Sequence, residues 1–259
     1  VTLSDFNEKP VTKDGKINKI INGATDWVYE EEFSIHKGFE WSPDGKKLAY
    51  YVFDETDVKE FQMKMYGSLY PTHYKFKYPK AGEDNYLISI RIFDTQYDRH
   101  FVFDVGNNPD IYIPRIMWSK RRDELIVFKM NRLQNKLELL SGTFSMDTPN
   151  NIGIKTKPIY TENSTTYIDI HDNTSFINEN EFIWTSEKDG YNHIYLINYA
   201  NGTEKQLTSG DWDVTEVYGY ASQSKKIFFQ AAKSHPTKRE IYALPVSYTH
   251  LTLPTICSV

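Results

Sequence analysis

Cysteine is almost missing from this chain. Its one thiol, Cys257, lies among the last four of 259 residues. An intrachain disulfide, a cysteine-based metal site and a thiol nucleophile are thereby excluded. Long apolar runs are also missing, and none approaches the roughly 18 residues of a membrane-spanning helix. Basic blocks are absent. The 30 Lys and Arg are scattered among 35 Asp and Glu for a net charge of −5, which leaves no positive stripe for nucleic acid. Helical periodicity is nowhere sustained beyond about two turns. The seven histidines show no metal-ligand spacing, so neither metal nor cofactor is expected. The opening residues Val1-Thr2-Leu3-Ser4-Asp5 carry neither an initiator Met nor a signal-peptide pattern, and they read as the interior of a longer polypeptide.

Aromatic residues are plentiful: 19 Tyr, 15 Phe and 5 Trp. With a modest apolar content, that mixture suits half-exposed strands better than a helical core. Short apolar or alternating segments recur along the chain. They include Leu48–Phe53, Ile88–Phe93, Phe101–Val105, Leu125–Phe128, Leu137–Leu140, Phe182–Trp184, Ile194–Ile197, Ile227–Phe229 and Ile241–Leu244. Each is bounded by turn residues, as strands are. Trp41-Ser42-Pro43-Asp44-Gly45 places a Pro-Asp-Gly turn before an apolar strand, and Trp118-Ser119-Lys120-Arg121 echoes it. Asp189-Gly190-Tyr191 leads through a strand into Asn201-Gly202 and then Gln206-Leu207-Thr208, a hairpin pattern. Repeats of this kind, at roughly 40–50 residues each, are those of propeller blades. The expected fold is all-β: a partial, open β-propeller of about four to five four-stranded antiparallel blades, occupying residues 1–245.

One segment breaks the repeat. Phe61 to Asn85 carries Tyr66, Tyr70, Tyr74, Phe76 and Tyr78 among prolines and lysines, and is too long for a blade turn. It reads as an extended arm inserted in one blade. Residues 246–259 are expected to be a non-native tail. Val246-Ser247-Tyr248-Thr249-His250-Leu251-Thr252-Leu253-Pro254-Thr255 resembles, in one reading frame, a translated sequencing-library adapter. A genuine strand is the alternative, because Tyr, Thr and Leu alternate there. On the adapter reading the tail packs in no blade.

The run Asp26-Trp27-Val28-Tyr29-Glu30-Glu31-Glu32 sets three carboxylates directly after two large aromatics. A bare acidic triplet is usually a solvated turn. Aromatic neighbours exclude water and strengthen the charge-assisted bonds that carboxylates accept from a cation. Adjacent residues on a regular helix point about 100° apart, so Glu31 and Glu32 converge on one cation only in a short or irregular helical turn.

This run and the Trp41-Ser42-Pro43-Asp44-Gly45 signature together resemble the propeller domain of the dipeptidyl peptidase IV family, serine exopeptidases of the prolyl oligopeptidase superfamily, in its bacterial form. The resemblance implies that Glu31 and Glu32 bind the ammonium group of a peptide substrate's N-terminus, with Trp27, Tyr29 and Glu30 as support. Ordinary core packing is the favoured role of Trp27 and Tyr29. The stretch Tyr78-Pro79-Lys80-Ala81-Gly82 resembles the family's arm, which implies a homodimer contact involving Tyr70, Tyr74, Tyr78 and Pro79. A flap folded on its own blade is the alternative. The family's catalytic Ser, Asp and His belong to an α/β-hydrolase domain, and no Gly-x-Ser-x-Gly elbow occurs here, so no catalytic residue is assigned to this chain. The implied parent removes N-terminal dipeptides with Pro or Ala in second position and is periplasmic or secreted. A tripeptidyl variant of the family and a non-enzymatic, peptide-binding propeller are the alternatives.

Overall fold

The computed structural model describes residues 7–148, 151–246 and 255–257. The chain divides into two compact units: Val1–Trp118 with Asp123–Pro158, and Ser119–Arg122 with Ile159–Val259. The first unit opens with β1 (Ile20–Asn22), the single helix among the described residues, α1 (Trp27–Phe33), β2 (Phe39–Trp41) and β3 (Lys47–Asp54). A hairpin of β4 (Glu60–Met65) and β5 (Thr72–Lys77) follows, then β6 (Leu87–Asp94) and β7 (Arg99–Phe103). The strands β1 and β2 share one edge of β3 as a first strand in two pieces, so the sheet reads β1/β2-β3-β6-β7, a four-layer blade. The interruption is α1 itself. The second blade runs β8 (Ile111–Trp118), β9 (Glu124–Asn131), β10 (Lys136–Thr148) and β11 (Asn151–Asn163).

In the second unit, β12 (Ser175–Phe176), β13 (Glu181–Ser186), β14 (His193–Asn198) and β15 (Thr203–Gln206) form one meander. Another is built from β16 (Val214–Ala221), β17 (Lys226–Ala231), β18 (Glu240–Pro245) and β19 (Thr255–Cys257). The ladders for which registers are known are all antiparallel. The chain is therefore all-β with four-stranded blades, as the alternation of its sequence predicts.

One expectation fails in part. Thr255–Cys257 pairs with β18, Ile241 opposite Cys257 and Tyr242 opposite Thr255, so this piece of the tail does join a blade. Strand pairing is made by backbone groups, so the edge of β18 accepts this segment whatever its origin. Residues 247–254 lie outside the described residues.

The Trp-Ser repeat works through its serine. In the first blade the Ser42 hydroxyl accepts the Lys47 N–H and donates to Asp44. The Gly45 N–H closes the turn on the Ser42 carbonyl, and Gly45 itself sits at φ +68°, where a side chain is strained. In the second unit the Ser119 hydroxyl also accepts a turn N–H, but from Arg121, two residues on. Strand alternation then builds the cores. Ile183, Ile194, Ile227, Phe229 and Leu244 are buried together in the second unit, each worth about 1.5–3 kcal/mol of transfer free energy. In the first unit, a Cβ on Gly142 would lie 2.2 Å from the Phe103 ring, so β10 approaches the first blade closely only because that position is glycine.

Candidate functional site

The helix α1 carries the acidic run, and its two ends are built to hold it. At the start, the Asp26 carboxylate accepts the N–H groups of Val28 and Tyr29, each at 3.1 Å, as an N-cap does. At the end, Ser34 adopts the left-handed conformation (φ 54°), and its N–H returns to the Tyr29 carbonyl. Tyr29 and Phe33 face inward and are buried, while Glu30, Glu31 and Glu32 are exposed. Glu31 and Glu32 make no hydrogen bond or ion pair with any described residue. Glu30 lies 3.9 Å from the His36 imidazole.

What seats the helix is an irregularity in β8. Pro114 has no N–H to give, and the ladder between β8 and β9 shifts by one residue between Tyr112 and Arg115. The bulge leaves the Ile113 N–H without a ladder partner, and the Tyr29 hydroxyl accepts it at 2.7 Å. The next side chain, Arg115, donates to the Phe33 carbonyl at 2.8 Å, satisfying the C-terminal end of α1 with a cation where the helix dipole favours one. The sequence reading missed Arg115. Its signal was the Pro-Arg pair inside an otherwise apolar strand.

Burial shapes the electrostatics beneath the helix. The Tyr29 ring meets Phe33, Phe53, Tyr51, Tyr86 and Tyr112 edge-on or tilted, with centroids 5.0–6.3 Å away. Desolvation drives the Tyr29, Tyr51 and Tyr86 phenols far above their ordinary range. It also pushes the Asp26 carboxyl up to about 6, against the opposing pull of the Tyr29 and Val28 N–H groups and the nearby Tyr86 hydroxyl. Glu55, also buried, is raised by desolvation and by the charge of Asp26.

The sequence-predicted support residues divide. Tyr29 packs in the core as expected. Trp27 does not: it is 43% exposed, and its ring meets the Tyr78 ring edge-on at 4.8 Å. As the first residue of α1 it points away from the buried stripe of Tyr29 and Phe33, toward the base of the arm. Glu30 joins the solvent face. The arm is the hairpin β4–β5. Phe61 stands opposite Phe76 and Met63 opposite Tyr74 on one face; Glu60 opposite Lys77, Gln62 opposite Lys75 and Lys64 opposite His73 form the other. Its tip is open to solvent, with Leu69 at 98%, Tyr70 at 85% and Tyr66 at 77% exposure, and on the apolar face Met63 is exposed while Phe61 and Phe76 are half-buried. Tyr74 is also exposed, whereas Tyr78 and Pro79 are half-buried at the base. Among the described residues no group of three His, Cys, Asp or Glu is placed to hold a metal ion.

The family model for the dipeptidyl peptidase IV (DPP IV) N-terminal region matches residues 2–255. The chain belongs to that family. It is similar to the prolyl endopeptidase FAP of Bos taurus, 31% identical over 253 residues, covering 91% of this chain and 32% of that protein. Dipeptidyl peptidase 4 of Trichophyton tonsurans is 28% identical, with 96% of this chain and 33% of that protein covered. Among solved structures, Porphyromonas gingivalis dipeptidyl peptidase 4 superposes with a TM-score of 0.85 at 36% identity, over 96% of this chain and 35% of that one. This DPP IV N-terminal region thus spans about a third of the length of the curated relatives it matches. The match to residue 255 includes most of the segment expected to be a non-native tail.

Proposed function

We propose that this DPP IV N-terminal region reads the free N-terminus of a peptide for a serine dipeptidyl peptidase whose Ser, Asp and His lie elsewhere in the polypeptide. One observation carries the reading: Glu31 and Glu32 are consecutive, solvent-facing and unpartnered among the described residues, on a helix of seven residues fixed at both ends. A substrate ammonium group has three donors, and two carboxylates take two of them. An internal peptide bond offers no such charge. The pair therefore selects exopeptidase substrates and sets the distance from the N-terminus to the scissile bond, a ruler made by positioning. Preference for Pro or Ala in second position would then belong to the hydrolase domain, and this chain alone would be inactive.

The arm is proposed as a homodimer contact of the complete enzyme. Its amphipathic hairpin leaves a Tyr- and Leu-bearing tip and part of its apolar face exposed, a pattern that marks interfaces. The reading is tested by sequence and assay together. The polypeptide downstream should hold a Gly-x-Ser-x-Gly elbow, and the complete protein should release dipeptides from peptides with free N-termini. A complete protein with no elbow and no such activity would favour a peptide-binding propeller instead.

A further inference from the structure

The second unit holds a cavity of about 410 Å³. It opens between the end of β11, the loop of residues 164–171, and the end of β13. The volume is enough for a side chain with its first carbon atoms, at the lower end of ligand-binding cavities. Its floor includes Glu162, which is 9% exposed. The Glu162 carboxylate accepts Ser186 Oγ at 2.5 Å on Oε1, and Trp184 Nε1 at 2.6 Å and the Tyr160 hydroxyl at 3.1 Å on Oε2. All three donors are neutral. A carboxylate has about four acceptor positions, so one on Oε1 is left over. No described cation is ion-paired with Glu162, an uncommon state for a charge so deeply buried.

The other charges around the cavity do not answer it. Asp169 and Glu187 line it and add negative charge. The Lys188 ammonium is engaged with Glu204 and lies over the Tyr195 ring at 4.0 Å, and it reaches only the Tyr160 hydroxyl, at 3.5 Å. His171 also lines the cavity. Its Nε2 donates to the Thr185 carbonyl at 2.8 Å and its Nδ1 accepts the Asn173 N–H, the arrangement of a neutral imidazole, and burial lowers its pKa. The cavity is therefore polar, enclosed on the Glu162 side and net negative.

We infer that this cavity binds a cationic side chain, the guanidinium or ammonium group of an Arg or Lys residue in a peptide, with Glu162 as its buried counter-charge and Asp169 and Glu187 at the rim. The inference does not rest on the ammonium-reading role proposed for Glu31 and Glu32, and the probes are chosen to keep the two apart. Nα-acetyl-arginine amide and Nα-acetyl-lysine amide have no free α-amine for the Glu31–Glu32 pair. Nα-acetyl-citrulline amide and Nα-acetyl-norleucine amide are their neutral counterparts.

The full chain, labelled with ¹⁵N, is titrated with each. The Trp184 indole N–H reports directly, because it donates to Glu162. The expected result is saturable movement of that resonance by at least one cationic probe, with its neutral counterpart about tenfold weaker or more, as loss of a charge-assisted bond requires. Whichever cation binds tighter names the side chain. Glu162→Gln should weaken the cationic probe by a similar factor. Asp169→Asn, an exposed change that leaves the Glu162 cluster intact, should weaken it severalfold, and it keeps the test open if Glu162→Gln does not fold. Equal affinity of charged and neutral probes, or an unmoved Trp184 resonance with both cations, would overturn the assignment.

Discussion

The Tyr29 hydroxyl accepts the Ile113 N–H at 2.7 Å, across 84 residues of chain. That bond ties the acidic helix of the first blade to the bulge of the second, and both partners are fully buried. Tyr29→Phe keeps the ring and its aromatic contacts but leaves the Ile113 N–H without a partner. A buried orphan donor costs about 1–3 kcal/mol. Urea unfolding should show that loss, and an unchanged midpoint would mean that ring packing and the Arg115 bond hold α1 without it.

Asp26 gives the same helix a pH signature. Its folded pKa of about 6 lies above the ordinary carboxylate value of 3.8. Between those values the folded state holds more protons than the unfolded one, so stability falls as pH rises from about 4 to about 6. The shift corresponds to about 2–3 kcal/mol, fully felt above pH 6. Asn also caps helices. Asp26→Asn should therefore remove this slope, leaving the contributions of Glu55, whose raised pKa has the same sign, and of His171, whose lowered pKa has the opposite one. Stability curves measured from pH 4 to 7 for the two proteins should diverge in slope. Parallel curves would contradict the burial argument.

Lys47 begins β3 only 8% exposed, with its ammonium 2.5 Å from Asp123 and 3.8 Å from Asp94. It therefore pins the first blade to the turn before β9. Lys47→Ala would remove the ammonium group that Asp123 and Asp94 share, a loss of about 3 kcal/mol. Because the pair is largely desolvated, that loss should persist in 0.5 M salt, where a surface pair would fade, about one Debye length being only a few ångströms there. Guanidinium chloride is unsuitable for this comparison, being a salt itself, and urea unfolding with and without sodium chloride decides it.

The strands were legible as short apolar runs between turn residues: β3 and β14 are buried along nearly their whole length, and β6 alternates over its first half. Leu48–Phe53 lies inside β3, Ile88–Phe93 inside β6 and Ile194–Ile197 inside β14. The short helix was expected at Glu31 and Glu32 from the family resemblance, and a helix of seven residues stands there. What lay hidden was whatever depends on contacts far apart in sequence. Nothing local to Arg115 says that it reaches the Phe33 carbonyl, and the tolerance of β8 for Pro114 shows as a bulge only beside β9. The exposure of Trp27 was hidden for a similar reason: its partner, Tyr78, arrives from the arm. Nothing in the sequence singled out Glu162, because Trp184 and Ser186, which converge on its carboxylate, lie more than 20 residues away.

The arm makes a prediction about assembly. In the complete enzyme, replacing Tyr66, Leu69 and Tyr70 together with Ser should convert a dimer to a monomer in sedimentation while leaving the circular dichroism spectrum intact. These side chains are exposed, so their loss should not disturb the blade. A dimer that survives both this change and deletion of residues 61–77 would refute the interface.

The central claim is that Glu31 and Glu32 read a free N-terminus, and the most direct measurement compares free and Nα-acetylated peptide substrates on the complete enzyme. Wild type should cleave dipeptide amides with a free amine and fail on the acetylated forms. Glu31→Gln and Glu32→Gln should each lower kcat/KM on the free substrate by about tenfold to a hundredfold, the worth of one charge-assisted hydrogen bond. Equal cleavage of free and blocked substrates by wild type, or full activity in both variants, would contradict the account.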